Sequence, residues 1–328
     1  MTEEKMTGSL TGHFPICKRR EREHMSKQMP TKNALLLLLT SLIWGTAFVA
    51  QRVGVDFLDP FAFSAIRFIM GGIVLIPVVL LLNRIKKPEQ KATEDKRATI
   101  IGGLICGVIL ALASNLQQIG IQYTTVGKTG FITALYIIIV PVIGLFFRQK
   151  ASAKLWVSVL IALAGLYLLC MNGRFMLEFG DTLIFLCAIV FSVHILVIAH
   201  FGPRIDGVQM SCIQFLVAGV LSTVCMLLAE PLPTWELIQA AKIPLLYTGI
   251  LSCGVAYTLQ IVGQKNVNPT VASLILSLEA VISVIAAWII LNQSMSLREI
   301  CGAGLMFIAI ILAQLPEKRT QAQAIQET

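Results

Sequence analysis

Ten long apolar stretches, arranged as two related sets of five, constrain this chain more than any other feature. They lie at about 34–54, 61–82, 98–122, 127–147, 155–171, 180–200, 208–229, 243–263, 269–291 and 297–315. A helix of about 20 residues, at about 1.5 Å per residue, matches the roughly 30 Å hydrocarbon core of a bilayer. In lipid every backbone N–H and C=O must be satisfied internally, and runs this long are too long for barrel strands. The expectation is an all-α integral membrane protein of ten transmembrane helices. Punctuation supports the breaks: Asp59-Pro60, Pro88, Asn172-Gly173, Gly202-Pro203, Pro231 with Pro233, and Asn268-Pro269.

Composition agrees. Hydrophobic residues make up 56% and charged residues 13% of 328 residues, with a mean hydropathy of +0.80. Ten spans and short loops leave no room for a further soluble domain. The net charge of +8 could suggest nucleic acid, but the basic residues cluster in loops and tails beside the stretches, as orientation signals do, so no nucleic-acid partner is expected. Most of the 26 Lys and Arg fall on one side: the N-terminal tail, 83–97, Arg148, Lys150, Lys154, Arg204, Lys265, Lys318 and Arg319. The other side holds only Lys128, Arg174, Lys242 and Arg298. This bias predicts a multi-pass plasma-membrane protein with both termini cytoplasmic.

Residues 1–33 read as a cytoplasmic, disordered tail, or as residues ahead of a true start at Met25 or Met29. Residues 316–328 read as a cytoplasmic C-terminal tail. Seven of the eight cysteines fall within stretches and Cys17 in the tail, with no C-x-x-C pair, so small buried hydrophobes is the expected role. His13, His24, His194 and His200 offer nothing at metal-ligand spacing. Phosphate-loop, zinc-hydrolase and serine-elbow patterns are absent. Neither metal nor cofactor is expected, nor an enzyme, and any transport would run on the solute's own gradient or an ion gradient.

An internal duplication is legible. At an offset of 147, Asp59 meets Asp206, Ser64 meets Ser211, Ile66 meets Ile213, Phe68 meets Phe215 and Gly72 meets Gly219. Arg67 falls on Gln214, and Trp44 on Phe191. At an offset of 142, Gln118-Ile119-x-x-Gln122 falls on Gln260-Ile261-x-x-Gln264. Two repeats are expected, over 34–172 and 180–315. Five spans per repeat is odd, so the second copy would insert upside down. Inverted repeats place a site near the midplane and suit alternating access.

The motifs also carry a resemblance. Trp44-Gly45-Thr46-Ala47-Phe48, Asp59-Pro60 and Ala65-Ile66-Arg67-Phe68 look like the opening of the EamA family in the drug/metabolite transporter superfamily. Ser277-Leu278-Glu279-Ala280-Val281 and Gly302-Ala303 resemble that family's S-L-E-P-V segment and the glycine beginning its last helix. Two positions depart from the pattern: Ala280 replaces the proline, and Gln293 replaces an acidic residue often found at the end of the ninth helix. The resemblance spans roughly 34–315. It implies a ten-helix carrier of small metabolites, often exporting amino acids or xenobiotics.

Candidate residues follow from what a membrane tolerates. Glu279 lies about 15 Å into the ninth stretch. A carboxylate there costs about 2.5–3.5 kcal/mol on insertion scales, so it should face protein or water. It could bind substrate or couple protons, or act as a structural carboxylate. Arg67, about 9 Å into the second stretch, could pair with an anion or with Glu279, or snorkel outward. Asn115, Gln117, Gln118, Gln214 and Gln260 could glue helices or line a polar path. Trp44, Tyr136, Phe191, His194 and Tyr257 could wall an amphipathic solute, and His194 could relay protons or simply be hydrogen-bonded. Pro141, and with it Pro77, should kink helices. Asp181 reads as a helix-capping residue.

The expected function is a secondary transporter exporting small organic metabolites or drugs by alternating access. Its partners would be a small-molecule solute and the lipid bilayer, and it could form a homodimer. Alternatives are a phosphorylated-sugar or nucleotide-sugar antiporter, a pore, or a membrane-embedded lipid-handling protein or enzyme. The first calls for several cavity cations, of which Arg67 is the only strong one.

Overall fold

The computed structural model describes residues 29–86, 94–146, 152–170, 178–291 and 296–315, all helical apart from turns and short links. Cys17, His13, His24, Met25, Asn172-Gly173 and Gln293 lie outside the described residues. The helices are α1 (Thr31–Gly54), α2 (Pro60–Ile85), α3 (Lys96–Gly120), α4 (Val126–Thr133), α5 (Tyr136–Phe146), α6 (Ala153–Cys170), α7 (Phe179–Phe201) and α8 (Gly207–Ala229). They continue with α9 (Trp235–Ala240), α10 (Lys242–Leu246), a π-helix (Tyr247–Tyr257), α11 (Thr258–Gly263), α12 (Pro269–Leu276), α13 (Leu278–Leu291) and α14 (Leu297–Gln314).

Eight of the apolar stretches are long and apolar enough to cross a membrane; α4 with α5, α10 through α11, and α12 with α13 each count as one. The other two, within α6 and α14, carry only shorter apolar helices, Ala153–Leu168 and Ile300–Ala313. A count of ten spans therefore does not follow from length and composition alone. Helix starts are written locally. Thr125 caps α4 through the Lys128 amide, Asp95 caps α3 through Ala98, and Asn268 caps α12 through Thr270, with Pro269 in the first turn. Large apolar side chains such as Leu80, Leu104, Val220, Ile289 and Ile311 stay exposed along the helices, as a lipid-facing surface requires.

The packing carries the duplication. At the crossing of α2 and α8, a Cβ on Gly72 would meet Leu216, and a Cβ on Gly219 would meet Ile69; both residues of the second contact sit at the 147 offset from those of the first. Gly107 receives Val217, and Gly249 receives Met70, again the equivalent pair. Phe68 stacks on its own mate Phe215, centroids 6.0 Å apart. Helix pairing repeats too: α5 and α7 touch as α13 and α1 do, α3 with α7 corresponds to α11 with α1, and α6 packs on its counterpart α14. Two repeats related by a pseudo-two-fold pass their axis through the α2–α8 crossing.

Two equivalent helices are interrupted. The stretch containing α4 and α5 breaks at Ala134-Leu135, and that containing α12 and α13 breaks at Ser277, onto which Leu135 falls at the offset of 142. Pro141 was expected to disrupt the first, yet it sits inside α5, downstream of the break. The second has no proline beyond Pro269 in its first turn; Ser277 Oγ donates to Leu274 O, three residues back, a local bond that competes with the helical ladder. Non-helical backbone at this depth is tolerated only where it is buried in protein or lines a cavity.

The ends of the α2–α8 pair are tied by carboxylates. Asp206 caps α8 itself, accepting from Val208 N and Gln209 N, and also pairs with Lys86 Nζ at 2.5 Å. Its mate Asp59 makes no side-chain cap on α2. Instead Glu230, at the far end of α8, accepts from Phe61 N and Ala62 N, both at 2.8 Å. Asp181 lies in the first turn of α7, where it accepts from Glu178 N, from Thr124 Oγ1 at 2.6 Å and from Lys128 Nζ, so it links the α3–α4 turn to α7 beyond its capping role.

Burial raises the Glu230 carboxyl above the ordinary value of 4.5, against the two amide bonds that lower it, with Asp59 repelling it further. A group raised in the folded state contributes stability below its unfolded pKa and loses it as pH rises through the folded one. The melting temperature of wild type relative to Glu230→Gln should therefore be highest below about pH 4.5 and decline as pH rises above it. Parallel melting curves across the acid range would contradict this.

Candidate functional site

The interrupted helices, the π-helix and α1 converge on one cavity. It encloses about 40 Å³, room for three or four waters at roughly 10–15 Å³ each. Trp44, Ala47, Phe48 and Gln51 line it from α1, with Arg67 and Phe68 from α2, Gln117 from α3, Thr133 from α4 and Tyr136 from α5. Phe191 and Ile195 come from α7, Ser252, Cys253 and Tyr257 from the π-helix, Gln260 from α11 and Glu279 from α13. Both helix breaks open onto it: Tyr136 follows the first and Glu279 the second.

Glu279 is 3% exposed and sits on the most enclosed of the long apolar helices, 72% buried over Pro269–Ile290. Tyr136 donates its hydroxyl to Glu279 Oε1 at 2.8 Å. Arg67 is also buried, at 4%, and does not snorkel. Its Nη1 donates to Gln51 Oε1 at 2.9 Å, its guanidinium lies 4.9 Å from the Phe68 ring centroid and 5.6 Å from that of Phe63, and its Nε has no partner. An Arg67–Glu279 pair, one of the alternatives, does not form: among the described residues neither group has an opposite charge within 4.0 Å. One cavity thus holds a guanidinium and a carboxyl group, each hydrogen-bonded to a neutral partner.

The aromatic wall forms. Trp44 and Tyr257 lie 4.5 Å apart by ring centroid, and Phe191 joins them. His194 stands behind the wall, edge-on to Phe191 and Tyr257 at 6.4 and 6.0 Å, with Nε2 bonded to Gln214 Oε1 at 3.1 Å. Of the ten candidates, Trp44, Arg67, Tyr136, Tyr257, Gln260 and Glu279 line the cavity; Asn115, Gln118, His194 and Gln214 do not. Asn115 binds Ser222 Oγ between α3 and α8, and Gln118 donates to Gln51 O, both as helix glue. Gln117 takes the cavity-facing position instead, donating to Thr133 Oγ1. Cys106, Cys187, Cys212, Cys225, Cys253 and Cys301 are free thiols, and no group of three or more metal-binding side chains occurs among the described residues.

Gln51, Ser252 and Cys253 were not legible as site residues. Gln51 could have been found, because it continues the Trp44, Ala47, Phe48 face by one further turn. Ser252 and Cys253 could not, because the 11-residue π-helix rotates them out of α-helical phase. Such helices occur often at functional sites.

Known proteins agree with this architecture. An uncharacterized transporter of Archaeoglobus fulgidus is 28% identical over 280 residues, covering 85% of this chain and 84% of its own. The uncharacterized inner membrane transporter YedA of Escherichia coli is 25% identical over 316 residues, covering 91% and 97%. A solved structure titled "Crystal structure of protein" superposes with a TM-score of 0.71 at 18% identity, covering 87% of this chain and 96% of that one. The model of the EamA-like transporter family matches residues 31–171 and again 178–315. A membrane protein built from two copies of this unit, the chain belongs to the EamA-like transporter family.

Proposed function

We propose that the chain is a secondary carrier that exports small organic metabolites or drugs across the plasma membrane by alternating access. Ten spanning helices form two inverted five-helix repeats, residues 34–172 and 180–315, with both termini cytoplasmic. The observation that carries this reading is Arg67 and Glu279 facing one aromatic-walled cavity without pairing, where the interrupted helices of both repeats meet. Half-helix ends at a repeat interface are where secondary transporters hold solutes. The cavity is too small for a metabolite, so this conformation has to open before a solute enters. Arg67 would hold an acidic group and Glu279 a basic or hydroxyl group, with Trp44 and Tyr257 packing the apolar body.

A phosphorylated sugar fits less well, since Arg67 is the one cation among the described cavity-lining residues. Reconstitution tests the reading. Proteoliposomes loaded with a compound found by comparing extracellular metabolites should take up its labelled form by counterflow, with saturation. Flux that is linear in concentration would indicate a pore, and flux equal to that of empty liposomes would overturn transport of that compound.

A further inference from the structure

Resting on the carrier reading, one feature near the cavity has no structural use. Gln264 is 2% exposed, and neither its Oε1 nor its Nε2 has a hydrogen-bond partner. Leaving buried amide groups unpaired costs about 1–3 kcal/mol each, so a merely structural position would favour an apolar side chain. One turn earlier, Gln260 faces the cavity with its own Oε1 unpartnered. Four residues apart at the end of a helix, the two amides share a face and stand about 6 Å apart along the axis. They lead from the cavity toward the end of the bundle where α3 begins.

The turn at that end is held shut from outside. Asn33, in the first turn of α1, donates to Gly263 O at 2.9 Å and to Lys265 O at 3.1 Å, bracketing Gln264. Asn266 in the same turn adopts a φ of 60°, a left-handed conformation uncommon outside glycine. On the equivalent helix, Gln118 Nε2 donates to Gln51 O while its Oε1 is unpartnered, and Gln122 is half-buried, so of these four positions only Gln264 is a buried amide with neither atom partnered.

We propose that Gln260 and Gln264 are successive rungs of the solute path between the cavity and the end of the bundle where α3 begins, binding hydroxyl or amide groups of the solute as it passes. The rungs are shielded while the Asn33 clamp is closed and meet water or solute when it opens.

The test applies the membrane-impermeant thiol reagent methanethiosulfonate ethyltrimethylammonium to vesicles of both orientations, with labelled cysteines mapped by mass. Cys253, native to the cavity wall, reports whether the cavity opens. Gln264→Cys should label from the face where α3 begins and not from the other. In a second variant, Gln264→Leu, Cys253 labelling from that face should slow several-fold while the melting temperature stays equal or rises, because two unpaired amide groups are gone. Cys253 labelling from that face with Gln264→Cys unlabelled would place the path elsewhere and overturn this inference alone. Unchanged Cys253 labelling in Gln264→Leu would do the same. Protection of Cys253 from both faces would overturn the carrier reading itself.

Discussion

Cells expressing Glu279→Gln should export at least about tenfold less of the wild-type solute at equal membrane levels of the two proteins. The glutamine keeps the volume and can still accept the Tyr136 hydroxyl, so packing around α13 survives. What is lost is the carboxyl's ability to ionise against a solute. A hydrogen bond to a charged group contributes about 1.5–3 kcal/mol, which converts to roughly a 10–150-fold change in an equilibrium constant. Tyr136→Phe removes a neutral donor and leaves the carboxylate, so its effect should be smaller. Untargeted comparison of extracellular metabolites from wild type, Glu279→Gln and empty vector would read this. A compound accumulating only with wild type would assign Glu279 to transport. Equal accumulation with the variant would reduce Glu279 to a structural carboxylate held by Tyr136.

Glu279 was legible because a membrane makes one carboxylate conspicuous. The energetic argument needs only its position along the stretch, and in the structure the side chain is buried in protein. Arg67 was legible for the same reason, but its partner was not. Depth along a helix says nothing about rotation between helices, and rotation decides that Arg67 meets Gln51 on α1 rather than Glu279 on α13. The same ambiguity left the helix 3 amides open between helix glue and a polar path. Gln118 matched Gln260 in the repeat, yet Gln117 faces the cavity; an exact match would hold only if α3 and its counterpart kept one helical phase. The counterpart contains a π-helix, which shifts phase within the helix.

Helix interruption was the other partial reading. Proline marks a helix that cannot be regular, so Pro141 drew attention to the correct segment. The actual breaks, at Ala134-Leu135 and Ser277, occur at equivalent points of both repeats, and only one copy has a proline inside the helix past its first turn. The shared cause is therefore the cavity at the repeat interface, which both helices border. The duplication itself, by contrast, was readable to the residue, since glycines at helix crossings leave so little freedom that Gly72 and Gly219 identify each other's contacts.

That tolerance predicts a second large effect, at Gly45. A Cβ there would lie 2.7 Å from Glu279 O and 2.5 Å from Ile282 Cβ. One of these atoms is backbone and the other is the branch point of a helical side chain, so neither can swing aside, and α1 and α13 must part. Overpacking of this kind costs about 1–3 kcal/mol, which should lower the melting temperature of Gly45→Ala in detergent by several degrees. The displaced carbonyl belongs to Glu279, so export should fall together with stability. Gly304 on α14 is the matched control. A Cβ there meets nothing within 4 Å, and alanine favours a helix interior over glycine by about 0.5–1 kcal/mol. Gly304→Ala should therefore melt at or above the wild-type temperature. If Gly45→Ala instead melts with Gly304→Ala, α1 and α13 are not in the close contact that positions Glu279 beside Tyr136, and the geometry of the site has to be redrawn around a wider crossing.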